Sequence, residues 1–406
     1  MNKERLRQFI KEMPKCDLHV HLGGSIRIGT LIELAQKHNV TLPTYTEEGL
    51  NETVFKDSYK ALPEYLKGFD YTAAVMQTPE NLERIAYEFA WDNINEGVCY
   101  VEVRFAPQLY VNKLMNIEGV FNAVSKGMDK AQSEYNTSDK VKKNEVPEFE
   151  YAIIACAMRS ISRSDYFDKL VEVHGSSSAR RVSALASYEL VLAMTKARDK
   201  GYKIVGFDLA GAEDGYPAVE HKDAYALAHR NFFRKTVHAG EAYGAESIFQ
   251  AITELHADRI GHGYYLFSED MIKNKTIKNK PEFIRRLVEY IADTRITIEV
   301  CLTSNLQTNP RIGTLINHSF KQMMDNKLSI AICTDNRTVS KTTVSRELEL
   351  AVDHFNLSSR ELKNCMIYGL KRSFYPGSYI AKRGYVRKVI DHFLEVEKKY
   401  LDVFDK

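Results

Sequence analysis

Eight short runs rich in β-branched and apolar residues recur along this chain, at 16–22, 99–105, 149–158, 203–209, 235–239, 259–263, 296–302 and 328–334, with helical stretches between them. Strand alternating with helix implies parallel βαβ units, because a parallel neighbour is reached only by a crossover that a helix can fill. Each run is apolar enough to be buried on both faces, and eight such strands are the number that closes a TIM (β/α)8 barrel. A doubly wound open sheet is the alternative, disfavoured because no Gly-rich phosphate loop follows the first run. Such a barrel needs about 250 residues, so a chain of 406 leaves room for insertions. No low-complexity stretch, Pro/Gly-rich linker or long internal repeat divides the sequence, and a single α/β domain over 1–406 is expected.

Three insertions interrupt the alternation. Those at 135–148 and 268–281 are charged and polar, and read as solvated loops. The one at 26–82, after the first strand, instead carries Tyr59, Leu62, Tyr65, Leu66, Phe69 and Val75 at helical spacing. It leaves the barrel at the C-terminal rim, so it is expected to form helices roofing a pocket there.

Lys and Arg number 56 against 54 Asp and Glu, a net charge of +2, so no global field favours nucleic acid or an anionic membrane. A small neutral ligand suits that balance. The first ten residues are charged throughout, without the apolar core of a signal peptide, and no apolar run approaches the ~18 residues of a membrane span. A cytoplasmic protein is expected; its oligomeric state is open. Cys16, Cys99, Cys156, Cys301, Cys333 and Cys365 form no C-x-x-C pair and read as reduced packing residues.

Chemistry enters at the strand ends. His19 and His21 are two apart on the first strand, so both rings leave one face and can reach one ion. His238 ends the fifth strand and Asp335 follows the eighth. A catalytic zinc takes nitrogen and oxygen ligands and keeps a position open for water, so these four form a mononuclear site of a metal-dependent hydrolase. Any one of the histidines alone would fit a hydrogen-bonded core position; the conjunction at one rim of a barrel carries the reading. Glu241, three residues after His238, can keep its proton in a partly dry pocket and hand it to a ring nitrogen. His262, between Gly261 and Gly263, can orient an attacking water and stabilise charge. Gly211 closes the fourth strand with its N–H open to a ligand edge, and Glu102 and Arg104, on one face of the second strand, read as a paired support for the site floor. No Lys ends the fourth strand to bridge two metals, and no C-x-x-C marks the zinc site of base-flipping deaminases.

As a set, Pro14–Leu22 (Pro-Lys-Cys-Asp-Leu-His-Val-His-Leu), Tyr100-Val101-Glu102-Val103-Arg104, Asp208-Leu209-Ala210-Gly211, His238-Ala239-Gly240-Glu241, Arg259-Ile260-Gly261-His262-Gly263, Glu299-Val300-Cys301 and Thr334-Asp335 resemble the adenosine deaminases of the amidohydrolase superfamily, in order and across nearly the whole chain. The resemblance implies hydrolysis of adenosine to inosine and ammonia in purine nucleoside metabolism. It makes His19, His21, His238 and Asp335 the ligands of one Zn2+, Glu241 the acid at purine N1, and His262 the residue steering the water. It gives Asp335 the further task of holding the attacking oxygen at C6, and Gly211 a contact to N3.

Two positions depart from the commonest pattern. Gly23 stands where an Asp usually accepts the ribose 5′-hydroxyl, which opens the site to 5′-altered adenine nucleosides of the methylthio or aminofutalosine type. Asn336 stands where a second Asp contacts N7; an amide donates to that acceptor at any pH, so the interaction is kept. A nucleoside-binding relative without turnover is the reading from another class, and such a relative would be expected to lack Glu241 or a ligand, none of which is missing.

Overall fold

The computed structural model describes residues 3–309 and 311–400. Eight strands, β1 (Lys15–His21), β2 (Val98–Phe105), β3 (Glu150–Met158), β4 (Ile204–Ala210), β5 (Arg234–Ala239), β6 (Arg259–His262), β7 (Thr297–Val300) and β8 (Ser329–Ile332), lie in the order β1 to β8. Every adjacent pair is parallel. The ring closes through a bridge between Val20 and Asp335. There Asp335 N–H donates to His19 O at 2.8 Å and His21 N–H to Asp335 O at 2.8 Å. The expected TIM barrel is therefore the fold, and its seam is sewn through the predicted metal ligands.

The strands are buried almost throughout, β2 at every position, as expected for a parallel sheet covered on both faces. Helix starts follow local chemistry. The side chains of Asn116, Ser178, Thr343 and Ser358 each accept the N–H three residues on, and Ser358 with Glu361 completes a capping box.

The insertion after β1 is helical, at Ile28–Lys37, Glu47–Thr53, Leu62–Leu66 and Gly68–Val75. It ends earlier than the expected Leu82, because Thr78 caps a long barrel helix that opens on Pro79 and runs to Asn95. Its last two helices roof the barrel mouth, and the first packs against the last of them. The segment 135–148 is not all loop: the helix after β2 runs on to Asn136, and Asp139–Lys142 makes one more turn. All six cysteines are free and buried, as packing residues should be. No described helix is long and apolar enough to cross a membrane.

Candidate active site

At the C-terminal rim of β1, β5 and β8, one ligand atom from each of His19, His21, His238 and Asp335 lies within 4.8 Å of the others, the one such cluster among the described residues. Two outer carboxylates orient the rings. His19 Nδ1 is 2.8 Å from Glu299 Oε2, and His238 Nδ1 is 3.1 Å from Asp208 Oδ2. Ionised carboxylates only accept, so each Nδ1 carries the proton and each Nε2 turns a lone pair inward. His19 Nε2 is buried with no hydrogen-bond partner. His21 Nε2 stands 3.2 Å from His238 Nε2, and Asp335 Oδ1 is 3.4 Å from the Nε2 atoms of both His19 and His21.

Inward lone pairs and a carboxylate with nothing positive between them are what a divalent cation satisfies. Burial and Arg104 push His19 down, yet the nearby carboxylate of Asp335 and the hydrogen-bonded one of Glu299 outweigh them and raise it, a sign of surplus negative charge at this point. Burial lowers His21 and His238, keeping them neutral as metal ligands must be. The residues fit a metal.

Asp335 and His262 hold φ of 61° and 64°, left-handed values that cost strain in any residue but glycine. Asp335 is held there by the two seam hydrogen bonds. His262 is followed by Gly263, also left-handed at 59°, where an added Cβ would lie 2.9 Å from Ile298.

Glu241 is buried, with Oε2 3.9 Å from His262 Nε2. Burial pushes its carboxyl up to about 8, and the charges of Asp335 and Glu213 add to the effect. It is therefore protonated at neutral pH, the form an acid needs. Its loop is fixed by a residue the sequence reading missed. The Glu213 carboxylate accepts the N–H groups of Gly240, Glu241, Ala242 and Tyr243 and the Ser247 hydroxyl. An acid two positions after Gly211 was the only sequence signal. Arg159, equally unforeseen, donates to the carbonyl of His238 and to that of Tyr216.

A cavity of about 270 Å³ opens on these groups, lined by His21, His238, Glu241, His262, Asp335 and Asn336, with Gly23 and Gly211 on its walls. Its roof is Leu62, Tyr65, Leu66 and Phe69 of the insertion. Tyr65 ties roof to floor: its hydroxyl accepts from Asn336 Nδ2 at 2.6 Å and lies 2.7 Å from Ser340 Oγ. One N–H of the Asn336 amide is thus spent on the roof, leaving the second for a ligand. Gly211 has φ of 101°, so glycine is required there whatever it touches.

Glu102 and Arg104 face inward as expected, but they do not pair with each other. Arg104 sits between Asp208 (2.9 Å) and Glu299 (3.0 Å), whereas Glu102 binds Arg259, which also reaches Glu299 at 2.6 Å. Alternation puts positions 102 and 104 at different depths, so each meets the layer opposite it rather than its own neighbour.

A family model of adenosine deaminase matches residues 14–391. The chain is 34% identical over 365 residues to an adenosine deaminase of Clostridium botulinum (strain 657 / Type Ba4), covering 90% of this chain and 95% of that one. It is 33% identical over 374 residues to a probable adenosine deaminase of Dictyostelium discoideum, covering 92% of this chain but only 42% of that longer relative. Among solved structures, the N6-methyl-AMP deaminase of Arabidopsis thaliana superposes with a TM-score of 0.70 at 25% identity, covering 95% and 98% of the two chains. The match spans the barrel and every segment that builds the rim, and the chain belongs to the adenosine deaminase family, hydrolases acting on C–N bonds of cyclic amidines.

Proposed function

We propose that this chain hydrolyses adenosine, and its 2′-deoxy counterpart, to inosine and ammonia with one zinc ion per chain. The observation that supports this most directly is the Glu241 carboxyl, pushed up by burial, facing the same cavity as the three-histidine, one-aspartate cluster. When bound by His19, His21, His238 and Asp335, zinc supplies the Lewis acidity that makes water a nucleophile near neutral pH.

The side chains then divide the proton work. Glu241 gives its proton to purine N1; the N1–C6 double-bond electrons move to N1, and the water oxygen bonds to C6. Asp335 takes one proton from that water and passes it to the exocyclic nitrogen, which leaves as ammonia. The remaining hydroxyl proton returns to Glu241 as the C6 carbonyl forms. His262 holds the attacking oxygen, Gly211 offers its N–H to N3, and the free N–H of Asn336 serves N7. The roof of Leu62, Tyr65, Leu66 and Phe69 excludes water from the base.

A second reading, a 5′-modified adenine nucleoside, is favoured by Gly23. A Cβ there would meet Tyr110 Oη at 3.3 Å, Phe69 at 3.7 Å and the Met76 sulfur at 3.8 Å, so the nearest neighbours at this corner are two apolar side chains and a phenol. The test is turnover of adenosine beside 5′-methylthioadenosine and AMP by zinc-loaded protein, followed by the ultraviolet change from adenine to hypoxanthine. Adenosine preferred over both supports the first reading. A thioether converted as fast or faster gives the site to 5′-modified nucleosides, and no conversion of any of them rejects both readings.

A further inference from the structure

His262 belongs to a hydrogen-bonded chain that begins at a backbone amide and leads to the centre of the site. Phe320 N–H donates to His318 Nδ1 at 3.0 Å. His318 Nε2 lies 3.2 Å from Asn305 Oδ1, and Asn305 Nδ2 lies 3.1 Å from His262 Nδ1. All three side chains are buried to within 2% of full exclusion.

The direction of the chain is forced. A backbone N–H can only donate, so His318 Nδ1 is an unprotonated acceptor and the ring is neutral, its one proton on Nε2. Burial, which pushes His318 down to about 3, agrees. His318 Nε2–H must therefore meet the amide oxygen of Asn305, which turns the NH2 group toward His262. An NH2 group only donates, so His262 Nδ1 is an acceptor, and the proton of neutral His262 is on Nε2, the nitrogen that faces Glu241 and the cavity.

We propose that Asn305 and His318 are positioning residues that fix His262 as its Nε2–H tautomer, so that it meets the reacting oxygen as a hydrogen-bond donor. The identity of the reacting atoms rests on the deaminase reading above; the tautomer does not. In this state His262 cannot take the proton of the attacking water on Nε2. That proton goes to a carboxylate, and Asp335 and Glu241 line the same cavity as His262, with Asp70 on the roof helix. The arrangement resembles the way a buried acceptor fixes a catalytic imidazole in other hydrolases, with the opposite polarity: here a donor is presented to Nδ1, not an acceptor.

The test combines spectroscopy with kinetics. In zinc-loaded protein carrying 15N-histidine, the His262 signals, assigned by their loss in His262→Gln, are expected to show a protonated Nε2 and a bare Nδ1. Asn305→Asp is nearly isosteric and presents only acceptor oxygens to Nδ1. It is expected to move the proton to Nδ1 and lower kcat by about 10²-fold, as for removal of one preorganised donor, with KM changed less than about threefold. His318→Gln keeps a donor for Asn305 Oδ1 and should retain more turnover than His318→Phe. A proton on Nδ1 in the unmodified protein, or full kcat in Asn305→Asp, would overturn the proposal. Should Asn305→Asp fail to fold, the spectrum of the unmodified protein and the His318 pair decide. A protein that turns over no adenine nucleoside would sink the deaminase reading instead, and the nitrogen signals would still report the tautomer.

Discussion

Inside the barrel, Glu102, Arg104, Asp208, Arg259 and Glu299 are all buried, and each charge has an opposite charge within 3.0 Å. At the rim above, His19 Nε2 has no hydrogen-bond partner, the Nε2 atoms of His21 and His238 stand 3.2 Å apart, and the Glu241 carboxyl lies 3.9 Å from the His262 ring. Carboxylates stand in both layers, but arginines answer them in the floor and histidines at the rim. Where every charge is met from within the protein, the groups brace strands and orient the rim imidazoles: Glu299 holds His19, and Asp208 holds His238. Where the charges are left unmet, an ion and a substrate would complete them under the proposed reading. Removing a floor charge should therefore cost stability, whereas removing a rim group should cost turnover.

The largest expected effect is at the rim. Glu241→Gln cannot deliver a proton to N1, so kcat should fall about 10³-fold, in the range that general acids contribute. The same change removes a carboxyl that burial disfavours, so the denaturant midpoint should hold or rise. In the unmodified protein turnover should decline as pH rises through about 8, as Glu241 loses its proton. A variant that is destabilised yet still active would erase the distinction between the layers.

Arg259→Met tests the floor. It leaves Glu102 and Glu299 each short of a guanidinium in the interior, and stripping one partner from a buried ion network costs roughly 3–5 kcal/mol. Urea unfolding should report that loss, while kcat per folded molecule stays within a few-fold. A change under about 1 kcal/mol would mean the floor charges are not the bracing they look like.

Metal removal probes the boundary between them. If the inward lone pairs are satisfied by an ion, chelation should lower stability by about 3 kcal/mol relative to protein in free zinc at 100-fold its dissociation constant. Re-addition of zinc should restore it, and His21→Ala should abolish the response. Unfolding curves unchanged by chelator would remove the cluster as a metal site.

How much of this was legible beforehand follows from where each signal is encoded. The barrel was readable because strand and helix periods are local, and the clustering of the candidate ligands because His19 and His21 share a strand face and His238 lies in a segment that ends a strand. Local patterns do not say which groups meet across the barrel. So Arg104 and Glu102 were placed correctly on one face, but their partners Asp208, Glu299 and Arg259, from three other strands, were not identified. Glu213, Arg159, Asn305 and His318 were missed for the same reason: each acts on a residue at least 13 positions away, through a hydrogen bond to a backbone, a ring or a side-chain amide. The roof ended at Thr78 and not at Leu82 because one side-chain cap, invisible to an apolar count, starts the next helix.

The smallest expected effect separates hydrogen bonding from charge pairing in a single carboxyl. Glu299 has two guanidiniums, which outweigh its burial and hold it well below the usual range. Glu347, packed behind the rim, has only donors without charge: the hydroxyl and N–H of Thr303 and the Thr342 hydroxyl at 2.6 Å. Burial therefore dominates and pushes it up to about 7 from 4.5. Below pH 4.5 it is protonated in both folded and unfolded chains and contributes nothing pH-dependent. As pH rises from there toward 7, the unfolded chain releases its proton while the folded one retains it, so stability falls by about 3 kcal/mol and then levels off. Glu347→Gln, which cannot titrate, should flatten the difference in unfolding free energy between pH 5 and pH 8 by about 2.5 kcal/mol; an unaltered slope would mean that uncharged donors hold a buried carboxylate as well as two arginines do.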